Sequence, residues 1–165
     1  MRRNPPPDAW VGSAGKIEAV IDTPPGAPCG IALVAHPHPL YGGTLDNKVV
    51  QTLARAFAEL GYEAWRPNFR GVGASEGAHD EGRGEVDDLA AVLAHARAER
   101  PVLAGFSFGA WIAMETGATD DRVSVLIGIA PPVALYDFQA VRTSAKPKFF
   151  IQGERDELCP LKALR

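Results

Sequence analysis

The stretch Pro101-Val102-Leu103-Ala104-Gly105-Phe106-Ser107-Phe108-Gly109-Ala110 reads as a short buried strand, a sharp turn and the first turn of a helix. The turn spells Gly-x-Ser-x-Gly. A serine on a strand-to-helix elbow is held in a strained backbone conformation, and side chains two residues away on either side would collide there. Glycine at both flanks removes the collision. The elbow lifts the Ser107 hydroxyl clear of the sheet and aims a helix N-terminus at its target. With five serines in the chain and glycine at about a tenth of its positions, chance yields such a match only about 0.05 times. The apolar run before it and the helix-compatible Trp111-Ile112-Ala113-Met114-Glu115 after it supply the matching context.

Outward from the elbow, strand and helix alternate. Gly30-Ile31-Ala32-Leu33-Val34-Ala35 is apolar throughout, as a strand of a helix-covered parallel sheet is. It runs into His36-Pro37-His38-Pro39-Leu40-Tyr41-Gly42-Gly43. A helix follows, with Asp46 as its predicted cap, Val49, Val50, Leu53, Ala54, Phe57 and Leu60 on one face, and Gly61 at its stop. Residues 62–66 form the next strand, and a glycine-rich loop spans 67–77. A second helix is predicted from about Gly84 to Glu99, with His95 on its surface. Residues 123–130 form another buried strand, 131–146 a connection, and 148–153 the last strand. Before all of this, residues 16–23 read as a half-exposed strand in which Glu18 and Asp22 alternate with Ile17, Ala19 and Ile21. Residues 1–15 read as a loose leader, so the expected organisation is a single α/β domain over 16–165, with active-site loops at the carboxyl ends of its strands.

Composition bounds the partners. A net charge of −3 without a long basic or acidic run argues against nucleic acid. The longest apolar run, 123–135, is broken by Pro131-Pro132 and is too short to span a bilayer. No secretion signal precedes the domain, and Cys29 and Cys159 are too few and too far apart for a disulfide framework or a metal knuckle. The expectation is a cytoplasmic protein without cofactor or metal. The residues leave its oligomeric state open.

A serine hydroxyl needs a base, a group to orient that base, and donors for the oxyanion. One donor is predicted to be the backbone N–H of Phe108, directly after the nucleophile. The second is predicted in the His36-Pro37-His38-Pro39 loop. Pro37 and Pro39 carry no N–H, which leaves His38, with Leu40 next in line. The orienting acid is predicted to be Asp156, in Gly153-Glu154-Arg155-Asp156-Glu157 past the last strand, with Asp137 as the alternative. Phe106, Phe108, Trp111 and Tyr41 are candidate apolar walls. No histidine follows Asp156: His36, His38, His79 and His95 all precede Ser107. His36-x-His38 also admits a metal reading, which leaves the serine elbow unexplained. The glycine-rich loop lacks the spacing of a nucleotide site.

These residues resemble the α/β-hydrolase superfamily, and within it the small lidless bacterial serine hydrolases related to dienelactone hydrolase. Four stretches carry the resemblance, which covers about residue 12 to the end: His36-Pro37-His38-Pro39 with Gly42-Gly43; Asn68-Phe69-Arg70-Gly71-Val72-Gly73-Ala74-Ser75-Glu76-Gly77; the elbow; and Gly153-Glu154-Arg155-Asp156-Glu157. The resemblance implies a mostly parallel sheet with helices on both faces. It also implies a Ser-Asp-His triad whose first two members are Ser107 and Asp156. Family members continue with a helix, a last strand and a segment bearing the histidine. The chain is therefore expected to be truncated at its C-terminus, with Phe149-Phe150-Ile151 left as an exposed edge. Two functions follow: an esterase-like serine hydrolase acting on a small-molecule acyl substrate, or a non-catalytic hydrolase-like scaffold lacking its base.

Overall fold

The computed structural model describes residues 1–97 and 100–165. Along the chain, β1 (Arg2–Asn4), β2 (Trp10–Gly12), β3 (Gly15–Ile17), β4 (Ala19–Thr23) and β5 (Gly30–Ala35) precede α1 (Lys48–Glu59). Next come β6 (Tyr62–Pro67), α2 (Arg83–Leu93), β7 (Val102–Phe106), α3 (Phe108–Thr119) and β8 (Val125–Ile129). The short α4 (Gln139–Thr143), β9 (Lys148–Ile151) and α5 (Leu161–Leu164) complete the order.

Seven strands form one sheet in the order β1-β4-β6-β5-β7-β8-β9. From β6 to β9 every pairing is parallel, while β1 and β4 add antiparallel strands at one side. The alternation of a strand explains the two cores. Ala32 and Val34 of β5, with Val102 and Ala104 of β7, meet Val50, Ala54 and Phe57 of α1. Leu33, Ala35 and Leu103 point the other way and pack under α2 and α3 with Leu89, Val92, Ile112 and Met114. Each such fully buried leucine contributes about 1.5–3 kcal/mol. Helices on both faces make β5 and β7 apolar throughout, as their composition predicts. β5 lies between β6 and β7, so the chain leaves its two sides in opposite directions. The crevice at the carboxyl ends of β5 and β7 is where open α/β sheets bind ligands.

Several predicted boundaries move. Residues 1–15 are not a loose leader. β1 pairs with β4, and β2 pairs with β3 in a two-stranded ribbon. Trp10, buried to 4%, packs on Trp65 at 4.8 Å and on His95 at 5.4 Å between ring centres. A single buried tryptophan has no periodicity to announce it. The strand predicted over 16–23 divides at Glu18, and its two parts join different sheets. Asp22, read as an exposed position, is fully buried. The cap of α1 is Asn47, whose Oδ1 accepts from the N–H groups of Val49 and Val50. Asp46 pairs with Arg3 instead. Leu60 lies at the C-cap of α1 and is exposed. The second helix ends at Leu93, so exposed His95 follows the helix rather than sitting within it; the predicted end at Glu99 lies outside the described residues.

β9 is the sheet edge among the described residues, with Phe149 and Ile151 exposed to 61% and 63%. No helix among the described residues is long and apolar enough to cross a membrane.

Candidate functional site

Ser107 sits between β7 and α3 at φ 54° and ψ −119°, a backbone conformation a non-glycine residue occupies only under constraint. The constraint is visible. Its N–H donates to the carbonyl of Ile129 at 2.9 Å, and its own carbonyl accepts from Ala110 in the first turn of α3. The flanking glycines are sterically required. A Cβ on Gly105 would come within 2.2 Å of the Gly109 oxygen. A Cβ on Gly109 would come within 2.3 Å of the Ala35 oxygen and 2.4 Å of the His36 oxygen. These are backbone atoms, which cannot swing aside. Gly109→Ala is therefore expected to push α3 off the end of β5 and cost about 3 kcal/mol, the upper end of overpacking penalties. A urea midpoint equal to that of the unaltered chain would contradict this account of the elbow.

His38 belongs to a 3-10 turn, Pro39–Tyr41, at the carboxyl end of β5. Pro37, His38, Tyr41, Ser107, Phe108, Pro132, Leu135, Tyr136 and Leu158 line a cavity of about 330 Å³. Three of the four predicted site residues, Ser107, His38 and Phe108, thus meet in one hollow. Phe108 is buried, and its N–H is in the first turn of α3, where no intrahelical acceptor exists. Asp156 is half-buried on the loop after β9. Its carboxylate accepts from Leu158 N–H at 2.9 Å, and Leu158 reaches the cavity wall. Asp137, the alternative acid, is exposed, and its Oδ1 accepts from the N–H of Gln139, the first residue of α4, at 2.9 Å. It does not line the cavity.

Of the predicted walls, Tyr41 and Phe108 line the hollow, whereas Phe106 and Trp111 do not. Trp111 stands behind Tyr136, stacked at 4.1 Å and 6° between planes, and its indole N–H donates to the Asp137 carbonyl. Pro132, Leu135, Tyr136 and Leu158 were not singled out from sequence. Pro131-Pro132 at the end of the β8 run was the available signal, since strand ends on this side of the sheet build the site. A second, larger hollow of about 610 Å³ lies beneath Pro5, Pro6 and Pro7, lined also by Arg3, Lys16 and Glu18, and does not include the elbow.

The histidines have separate engagements. His36 is fully buried, with Nδ1 2.7 Å from the Pro37 oxygen and Nε2 accepting from Phe69 N–H at 3.0 Å. That pattern places its proton on Nδ1 and leaves neither nitrogen for a metal. His36-x-His38 therefore does not close a metal site. Burial holds the His36 imidazole down at about 4. In the unfolded chain it takes up its proton near 6.5. The unfolded state thus binds more protons over this window. Stability is complete above about pH 6.5 and falls as pH drops toward 4, by on the order of 3 kcal/mol from this group. The check is a nuclear magnetic resonance titration of the His36 ring; a charged His36 in folded protein at pH 6 would contradict it. His79 lies with its Nδ1 3.6 Å from Glu85 Oε2. The glycine-rich loop is likewise occupied by its own structure: Glu18 Oε2 accepts from Asn68 Nδ2 and Ala74 N–H, and the Ser75 hydroxyl bridges Glu18 N–H to the Asn68 carbonyl.

A helix-covered parallel sheet with a strained serine elbow at its topological switch point defines the α/β-hydrolase class of fold. The alpha/beta hydrolase family matches residues 33–160, and the chain belongs to that family. It is similar to the structure of an alpha-beta serine hydrolase homologue from Coxiella burnetii, at 43% identity and TM-score 0.89, covering 99% of this chain and 80% of that one. It is also similar to XC6422 from Xanthomonas campestris, described as an a/b serine hydrolase without lid. That match has 37% identity and TM-score 0.85, and covers 99% and 77% of the two chains. An uncharacterized protein of Rickettsia prowazekii, RP471, is 41% identical over 157 residues; the match takes in 89% of this chain and 65% of that protein.

Proposed function

We propose that the protein is a serine hydrolase that cleaves small, apolar acyl substrates, esters foremost, through an acyl-enzyme on Ser107. The observation that carries this reading is the strained elbow at φ 54°, which puts Ser107 in one hollow with His38 and Phe108. The Ser107 hydroxyl attacks the acyl carbon. The N–H groups of Phe108 and His38 hold the oxyanion. The Ser107 proton passes to a histidine acting as general base, a role Asp156 is placed to orient, and from there to the departing alcohol. Water then gives a proton to the same histidine and attacks the acyl-enzyme. The acid leaves and the Ser107 hydroxyl is restored. Among the described residues no charged side chain lines the cavity, which suits a neutral acyl group. The serine hydrolase descriptions of the Coxiella and Xanthomonas relatives support the same chemistry.

His36 is locked between the Pro37 carbonyl and Phe69 N–H, His38 accepts from Leu40 N–H, and His95 lies against Trp10, which favours a second reading for these 165 residues alone, a hydrolase-like scaffold without its base. Intact mass before and after a fluorophosphonate probe separates the two. A single adduct located on Ser107 is expected. Protein that stays unlabelled and inactive toward p-nitrophenyl esters would mean the scaffold.

A further inference from the structure

The loop after β5 offers more than one amide to the cavity, yet all but one of those at positions 38, 40 and 41 are already taken. Pro37 and Pro39 have no N–H. Tyr41 N–H donates to the His38 carbonyl at 3.1 Å, and Gly43 N–H donates to the same oxygen at 3.0 Å. Leu40 N–H donates to the His38 side chain itself, at Nδ1, at 3.1 Å. The His38 N–H meets no protein acceptor among the described residues. The imidazole therefore closes a small ring onto the second residue after it, as an asparagine side chain does in an Asx turn. That ring fixes the conformation of the turn that carries the His38 N–H at its start.

The ring is itself held. His38 packs on Phe108 at 4.8 Å, on Tyr41 at 4.8 Å and on His79 at 4.9 Å between ring centres. His79 also contacts Phe108, at 5.7 Å. Behind His79 stands the fully buried Glu85, whose carboxylate accepts from the N–H groups of Asp80 and Gly82. A chain of contacts from α2 thus reaches the His38 turn, which lines the cavity together with Ser107.

We infer that His38 is a positioning residue: its neutral imidazole, by accepting the Leu40 N–H, reserves the His38 backbone N–H for the oxyanion and releases it from that orientation when Nδ1 is protonated. This rests on the serine hydrolase reading above. The charged and titratable groups around His38 are Tyr41 on its own turn, His79 and Glu81 on the loop before α2, and Glu85 on α2. Burial, then the neighbouring His79 charge, lower the His38 pKa, against smaller opposing effects of Glu81 and Glu85. The acceptor is thus preserved at neutral pH and lost on the acid side.

The test uses the whole protein and three variants. His38→Ala removes the acceptor, His38→Asn restores one at the matching place, and Ser107→Ala reports whether turnover runs through the elbow. Expected are a kcat about tenfold or more lower in H38A with KM little changed, recovery of most of that loss in H38N, and a Leu40 amide resonance that titrates together with the His38 ring. H38A with unaltered kcat, while S107A is dead, would overturn this inference and leave the serine hydrolase reading standing. A Leu40 amide indifferent to His38 protonation would also overturn it. Turnover unaffected by S107A would instead overturn the reading beneath it.

Discussion

Ser107→Ala is expected to lower ester turnover by about 10³-fold or more and to abolish the fluorophosphonate adduct, with the fold retained. On the proposed mechanism, loss of the hydroxyl removes the atom that forms the acyl bond, and among the described residues no side chain lining the cavity replaces it: His38, Tyr41 and Tyr136 are the other polar members, and none is a comparable acyl acceptor. Alanine keeps the Cβ and so keeps the strain at φ 54°. Ser107→Gly provides a second arm. It is equally inactive, but glycine accepts a positive φ without penalty, and the variant should gain about 1 kcal/mol of stability. A dead yet more stable glycine variant marks strain maintained for function. Retained activity in either variant would remove Ser107 from the mechanism, and a glycine variant less stable than the parent would show that the elbow is not strained.

The second large effect is structural. Arg66 and Asp22 form a bidentate ion pair, Nε to Oδ2 at 2.6 Å and Nη2 to Oδ1 at 3.2 Å, with side chains only 3% and 1% exposed. The remaining Arg66 nitrogen donates to the Leu45 carbonyl at 2.6 Å, and Leu45 N–H donates to Asn68 Oδ1 at 2.8 Å. The pair therefore ties β4 and β6 to the segment that leads into α1. Asp22→Ala leaves the buried guanidinium with only the exposed Asp46 carboxylate, 3.6 Å from Nη1, beside it, at a cost of about 3 kcal/mol. For a domain of this size that is a fall of about 10 °C in Tm. Replacing both partners by apolar residues, Asp22→Leu with Arg66→Met, should recover most of it, because the buried charge goes with its partner. A drop of under 1 kcal/mol in the single variant, read from urea unfolding, would mean that water reaches Arg66.

Much of the architecture was legible from local pattern. Apolar runs at residues 30–35 and 102–106 can only be strands covered on both faces, and the elbow motif carries its own steric explanation in Gly105 and Gly109. His38 and Phe108, expected as donors because proline has no N–H and the residue after an elbow serine opens a helix, line one cavity with Ser107. Other features had no local signature. Asp22 looked like the polar face of a half-exposed strand until Arg66 was brought across from β6. Trp10 lay in a proline-rich segment without periodicity, and its burial depends on Trp65 and His95, distant in sequence. Tyr136 came from a stretch read only as a connection, and its place in the cavity wall depends on the Trp111 ring stacked behind it.

By itself, the sequence determined the alternation of strands and helices from β5 to β8 and the glycine-flanked serine elbow between β7 and α3, because these depend on neighbours a few residues apart. Only the tertiary structure decided which of four histidines is locked as a neutral core residue, which one braces the loop beside Ser107, and which carboxylate is buried with a counter-charge. Those assignments depend on burial and on partners tens of residues away, as with His36 and Phe69 or Asp22 and Arg66. A titratable side chain carries the same chemistry in every sequence, and its charge state and role follow from the solvent and partners that the fold gives it.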